Sequence, residues 1–218
     1  MQEREKQRAP SAPLLEMRGV SKSFPGVKAL DQVDFTVYPG EVLALVGENG
    51  AGKSTLMKIL SGVYTMDEGE IYFEGQPLTI TGPLASQRAG ISIIYQELNV
   101  LNNLNIAENL FVGREKLGKN GLVDRQRTHQ EARTLLDEVK LPLDTRTLMS
   151  HLSTAQKQMV EVARALSFNA RLIIMDEPTS SLTDTETQTL FDIIRRLKAK
   201  GVAVVFISHR MAEIFQIT

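Results

Sequence analysis

LALVGENGAGKSTLMKIL, residues 43 to 60, is the stretch whose reading decides the fold. Its apolar opening, Val42 to Val46, reads as a strand, and the run from Lys53 onward reads as a helix. Between them Gly47, Gly50 and Gly52 leave the backbone free to curl. Gly47, Gly52, Lys53 and Ser54 meet the pattern G-x-x-x-x-G-K-[ST], which describes a phosphate-holding loop. In such a loop successive N–H groups point inward and the helix that follows presents its positive end to an anion. Lys53 adds a point charge for outer phosphates, and the Ser54 hydroxyl is a magnesium ligand of the right hardness. A chance cluster of turn glycines is the competing explanation, and the strand and helix on either side weigh against it.

The 218 residues suffice for one sizeable α/β domain with its own core. With 25 basic and 26 acidic residues the net charge is -1, so composition gives no electrostatic footprint for nucleic acid. No apolar run reaches the roughly 18 residues that span a bilayer, and the start lacks the apolar core of a signal peptide. The absence of cysteine removes disulfides and thiolate metal sites. His129, His151 and His209 are too far apart to form a zinc motif.

Upstream, residues 1–13 carry charges and two prolines with almost no apolar side chain, and are expected to form a disordered tail. A strand is expected from Leu14 to Val20, then a turn-rich SKSFPGVKAL, then an alternating strand from Val33 to Val37. Phe24, in that turn-rich stretch, suits either a ring offered to a flat purine or a small satellite core. GEIYFEGQPL reads as two short strands around a Glu-Gly turn. The strand Ile91 to Tyr95 delivers Gln96 to its end, where polar residues of α/β folds face the ligand crevice, although a loop hydrogen-bonder is the commoner role.

From Leu98 to Leu152 helical patterns dominate, including an amphipathic run from Asp124 to Lys140. The helix AQKQMVEVARAL puts Met159, Val162, Ala163 and Leu166 on one face. Ser153 or Thr154 caps it, which is either an ordinary cap or an anion-receiving end. RLIIMDEP follows, an apolar strand that delivers Asp176 and Glu177 to the sheet's carboxyl edge, where the phosphate loop gives a reason for a cation. Asp176 is the natural magnesium partner, and Glu177 is next in line to orient or deprotonate water. Thr183 and Glu186 make a capping box for another helix, which Gly201 stops. The last strand, Val202 to Ser208, carries His209 at its end.

The order phosphate loop, Gln after a strand, LSTAQ, Asp-Glu after an apolar strand, and His after the last strand resembles the ATP-binding subunits of ABC transporters. The resemblance covers Leu14 to Thr218. It implies an α/β fold: a P-loop NTPase core with a mixed sheet flanked by helices, an α-helical subdomain over about 98–164, and an antiparallel β subdomain near the N-terminus. Residues 14–97 and 165–218 would be the core, in a chain cut before the end of that domain. The implied cofactor-binding residues are Phe24 on adenine, and Gly47, Glu48, Asn49, Gly50, Ala51, Gly52, Lys53, Ser54 and Thr55 on phosphates. Ser153, Thr154, Ala155 and Gln156 would form the signature segment with Leu152. Glu177, His209 and Gln96 are the implied catalytic residues, and Ser54, Gln96 and Asp176 the implied magnesium ligands.

More narrowly, FPGVKAL, GENGAGKSTLMKIL, YQELN, AQKQMVEVARAL, MDEPTSSLTDTE and ISHRMAEIF are similar to the monosaccharide importers of bacteria, the ribose, galactose, arabinose and xylose type. That resemblance implies ATP hydrolysis powering sugar import, with ATP and magnesium, at the cytoplasmic side of the cell membrane. The implied partners are a membrane permease, a second nucleotide-binding domain packed head to tail and, indirectly, a periplasmic sugar-binding protein, with no nucleic acid. Three residues at two places depart from the family pattern: the usual signature glycines are Thr154 and Ala155, and a common aspartate is Thr183. A soluble ABC-type ATPase of DNA repair or translation is the alternative, and would call for a basic surface. A nucleotide switch without hydrolysis would have no need of Glu177 and His209.

Overall fold

The computed structural model describes residues 12–48, 50–96, 98–118 and 121–218. Most of the expected tail therefore lies outside the described residues, as do Asn49, Glu97, Lys119 and Asn120. The first strands, β1 (Leu15–Phe24) and β2 (Val27–Val37), pair antiparallel across Pro25-Gly26, from Leu15 opposite Val37 to Phe24 opposite Val27. The stretch read as turn-rich is thus mostly strand. Its alternation is obscured by register shifts on either side of Val20 and Lys22, where an extra residue turns the side-chain pattern over.

The strand β3 (Val42–Leu45) leads into the loop and α1 (Lys53–Leu60), as the glycine and apolar pattern predicts. Next, β4 (Glu68–Phe73) and β5 (Gln76–Pro77) form a hairpin on Glu74-Gly75. Both turn residues have positive φ, 52° and 74°, the geometry that matches a tight turn to strand twist. Then come α2 (Pro83–Arg88), β6 (Ile91–Ile94), α3 (Ile106–Phe111), α4 (Arg125–Glu138), α5 (Thr154–Leu166), β7 (Leu172–Asp176), α6 (Asp184–Ala199), β8 (Ala203–Ile207) and α7 (Met211–Ile217).

Parallel and antiparallel pairing are sorted into two sheets. The order β2-β1-β4-β5 is antiparallel, while β3-β8-β7-β6 is parallel throughout. Strands β7 and β8 are apolar on both faces, as a parallel sheet covered on both sides requires. Leu172, Ile174, Ala203, Val205 and Ile207 pack with α1 and the antiparallel sheet. Their neighbours Ile173, Met175, Val204 and Phe206 pack with α3, α4, α5 and α6. Each fully buried aliphatic side chain contributes about 1.5–3 kcal/mol. The helical stretch after residue 98 therefore shares one continuous apolar core with the sheet, through Ile106, Leu110, Leu136 and Met159.

The caps follow the sequence. Ser153 and Gln156 exchange hydrogen bonds at the start of α5, and Thr183 and Glu186 do so at α6. Asn105 and Glu108 form the same box at α3.

Candidate functional site

Because β3, β7 and β8 run parallel, they bring the loop before α1 and the residues after Met175 and Ile207 to the same edge of the sheet. There a cavity of about 340 Å³ is lined by Ala29, Gly50, Ala51, Gly52, Lys53, Ser54, Thr55, Gln96, Asp176, Glu177 and Ile207. The glycines are demanded by the backbone. Gly52 has φ +81°, and a Cβ there would stand 2.7 Å from the Ala29 carbonyl oxygen and 2.8 Å from Leu30. Gly50 has φ +89°, a conformation that costs a residue with a side chain about 1–3 kcal/mol.

Gly52 is the N-cap of α1 and supplies no side-chain cap, so the first amides of the helix face the cavity uncapped. The Lys53 ammonium lies in the loop, donating to the carbonyl oxygens of Gly47 at 2.5 Å and Glu48 at 2.8 Å. Burial raises the Asp176 carboxyl above its ordinary value, the Glu177 charge raises it further, and Lys53 and Lys58 pull it down. A carboxylate destabilised in this way gains from a divalent cation, which reverses the local charge balance. Ser54, Gln96 and Asp176, all on the cavity, form a hard oxygen donor set suited to magnesium. Among the described residues no cluster of three or more His, Cys, Asp and Glu could hold a metal ion.

Glu177 has φ +45°, rare for a residue with a side chain, and its amide donates to the Ile207 carbonyl at 3.0 Å. Its Oε1 is 3.1 Å from Nδ1 of His209. The structure thus brings Gln96, Asp176 and Glu177 onto one cavity with Lys53, and sets His209, which does not line that cavity, against Glu177. Asn49 lies outside the described residues.

Two sets of expected residues stand apart from this cavity. Phe24 is half-buried with its ring edge-on to Tyr64, centroids 5.2 Å apart, and the Lys22 ammonium lies 5.8 Å from its ring. It is not among the cavity's lining residues. Ser153, Thr154, Ala155 and Gln156 form the start of α5, with Ser153 and Thr154 exposed, and none of them lines the cavity. The capping box occupies the amides of Ser153 and Gln156, leaving those of Thr154 and Ala155 to face an anion. Of the two residues that stand in place of the usual glycines, Ala155 has its side chain buried and Thr154 is exposed.

Three supporting residues were not singled out from the sequence. Gln158, buried in α5, donates from Nε2 to the Pro178 carbonyl at 2.5 Å, tying that helix to the turn after Glu177. Glu161 accepts the Asn99 amide at 2.9 Å, three residues beyond Gln96. Glu213 grips Thr179 and Ser208. For Gln158 and Glu213 a signal exists, a polar residue bordering the apolar stripe of its helix, whereas Glu161 lies off the stripe of Met159, Val162, Ala163 and Leu166 and gives none.

Residues 30–180 match the model of the ABC transporter family. The chain belongs to the ABC transporter family. As an ABC protein it is 55% identical over 206 residues to the ribose import ATP-binding protein RbsA of Clostridium perfringens strain 13, covering 94% of this chain and 41% of that one. The counterpart in strain SM101 is 54% identical over the same shares. The chain thus spans less than half the length of the curated relatives it matches. Among solved structures, the ADP conformation of MJ1267, an ATP-binding cassette of an ABC transporter, superposes with a TM-score of 0.83 at 30% identity, covering 95% of this chain and 85% of that one. A nucleotide-free ATP-binding cassette from an ABC transporter gives 0.83 at 30% identity, covering 94% and 85%.

Proposed function

We propose that this ABC domain binds ATP with magnesium and hydrolyses it to power import of a monosaccharide. The observation that carries the proposal is the convergence of Lys53, Gln96, Asp176 and Glu177 on one cavity at the ends of parallel strands, with His209 against Glu177. In this reading the amides of the loop and of α1 hold the polyphosphate, and Lys53 neutralises its outer charge. Phe24, with Tyr64 behind it, stacks on the adenine. Ser54, Gln96 and Asp176 hold magnesium, which when bound offsets charge on the outer phosphates. Glu177 orients water for attack on the γ-phosphate and takes its proton, and His209 fixes the Glu177 carboxylate and contacts the γ-phosphate.

The start of α5 lies outside the chain's own cavity, so a second nucleotide-binding domain supplies Ser153, Thr154, Ala155 and Gln156 in trans. The uncapped amides of Thr154 and Ala155 then stabilise charge on the γ-phosphate across the interface. Residues 14–97 and 165–218 act as the core and about 98–164 as the helical part facing the permease. None of the helices among the described residues is long and apolar enough to cross a membrane, and a permease partner supplies the path. The protein works from the cytoplasmic side, with a periplasmic sugar-binding protein acting through the permease.

The test is the full-length subunit reassembled with its permease in lipid vesicles, assayed for ATP hydrolysis as sugar-loaded binding protein is added. Stimulation by one of the ribose-type sugars is expected. Stimulation by nucleic acid, with none by any loaded binding protein, would move the protein to the soluble ATPases instead.

A further inference from the structure

Glu213 sits on the inner side of α7, 9% exposed, in a helix whose other buried residues are Ile214 and Ile217. A carboxylate in such a place is costly unless its oxygens are satisfied. They are. Oε2 accepts the Thr179 hydroxyl at 2.7 Å and the Ser208 hydroxyl at 3.1 Å, and Oε1 accepts Nη1 of Arg210 at 3.1 Å. The Ser208 hydroxyl also accepts the Arg210 amide at 3.0 Å. Thr179 and Ser208 are themselves 2% and 4% exposed, so these bonds are shielded from competing water.

The two hydroxyls belong to different strand exits. Thr179 lies two residues beyond Glu177 on the exit of β7, and Ser208 immediately precedes His209 on the exit of β8. One carboxylate oxygen therefore spans the two exits whose next functional groups, Glu177 and His209, meet at 3.1 Å. Glu177 adopts a left-handed backbone, φ +45°, which persists only when its surroundings hold it. The contact between Gln158 and Pro178 holds the same turn from the other side.

We infer that Glu213 is a positioning residue for hydrolysis, fixing the separation of the β7 and β8 exits so that Glu177 and His209 stay in register with each other. The inference rests on the proposed role of Glu177 as base. Glu213 touches neither the nucleotide cavity nor the Glu177 carboxylate, so its removal acts on turnover and leaves nucleotide binding alone.

The test compares Glu213→Leu, of similar bulk, with Glu213→Gln, which keeps one acceptor oxygen. Both are made in the full-length subunit and measured for ATP affinity, kcat and unfolding midpoint. Glu213→Leu is expected to hold ATP within about twofold of wild type and to lose about tenfold or more in kcat, since sub-ångström misplacement of a catalytic group is enough for such losses. Glu213→Gln is expected to restore part of that loss at unchanged affinity. Affinity and kcat falling together in both variants, in step with a lowered unfolding midpoint, would reduce Glu213 to a core residue and overturn the inference. Wild-type kcat in Glu213→Leu would overturn it too. Glu177→Gln in the same assay separates the two readings: if it turns over normally, the base assignment fails, whereas an inactive Glu177→Gln beside a fully active Glu213→Leu sinks only the role given to Glu213.

Discussion

Nδ1 of His209 stands 3.1 Å from Oε1 of Glu177, joining the exits of two neighbouring parallel strands. The Glu177 side chain is 29% exposed and that of His209 is 67% exposed, so the pair lies at the surface with the histidine outermost. A carboxylate anchored by an imidazole on one oxygen has the other available to a water. Replacing Glu177 by Gln keeps an oxygen for the imidazole and removes the capacity to take a proton. ATP affinity in Glu177→Gln is expected to stay within about twofold, and turnover to fall by about 10² to 10⁴. Steady-state hydrolysis and nucleotide titration check this, and turnover at the wild-type rate would assign the base elsewhere.

Lys53 donates to two loop carbonyls and is the only cation lining the cavity among the described residues. Lys53→Ala is expected to weaken ATP binding at least about tenfold, in line with loss of a charge-assisted contact. Calorimetric titration reads it directly. Equal affinity in the two proteins would place the triphosphate away from Lys53.

Gly52→Ala puts a methyl group 2.7 Å from the Ala29 carbonyl at φ +81°. The obstruction is backbone, which cannot swing aside as a side-chain tip can. Denaturant unfolding is expected to show a loss of about 1–3 kcal/mol. A stability equal to wild type would mean the β2 edge yields freely.

Burial pushes the Glu161 carboxyl up to about 7, with the Asn99 amide and Arg164 pulling the other way. Its Oε2 has no hydrogen-bond partner among the described residues. Since the folded value lies above the ordinary 4.5, the folded chain holds this proton more tightly than the unfolded chain does. The resulting stability is fully present below about pH 4.5 and is lost as pH rises toward 7, by roughly 3 kcal/mol in all. Glu161→Gln removes the titration and keeps an acceptor for Asn99. Its unfolding midpoint is expected to gain on wild type as pH is raised from 5 to 8. A constant difference across that range would show that Glu161 is solvated like a surface carboxylate.

The sequence was most legible where one residue type has one physical use. Gly52 and Lys53 mark the loop because only glycine tolerates that backbone and only a cation suits the phosphates. Thr183 and Glu186 announce their helix because the box is made of neighbours in the chain. Strand β1 was read short because its register shifts break the alternation, and those shifts are set by pairing with β2 and β4, which lie far away in sequence. Phe24 stayed open for a related reason: its partner Tyr64 is forty residues downstream. Gln158, Glu161 and Glu213 escaped notice because a buried polar residue is explained only by the group it meets, and each meets a loop or strand exit distant in sequence, Pro178, Asn99 and Thr179 respectively.

In the proposed function ATP and magnesium sit at the strand ends, and the segment equivalent to Ser153 to Gln156 of a second nucleotide-binding domain closes over them. A crystal structure of Glu177→Gln with ATP and magnesium would show this arrangement, because the bound nucleotide is not consumed. The triphosphate is expected along Gly50 to Thr55, the metal against Ser54, Gln96 and Asp176, and the segment equivalent to Ser153 to Gln156 of another nucleotide-binding domain over the γ-phosphate. A nucleotide bound away from Lys53 and Asp176, or a γ-phosphate enclosed entirely by the chain's own residues, would contradict it.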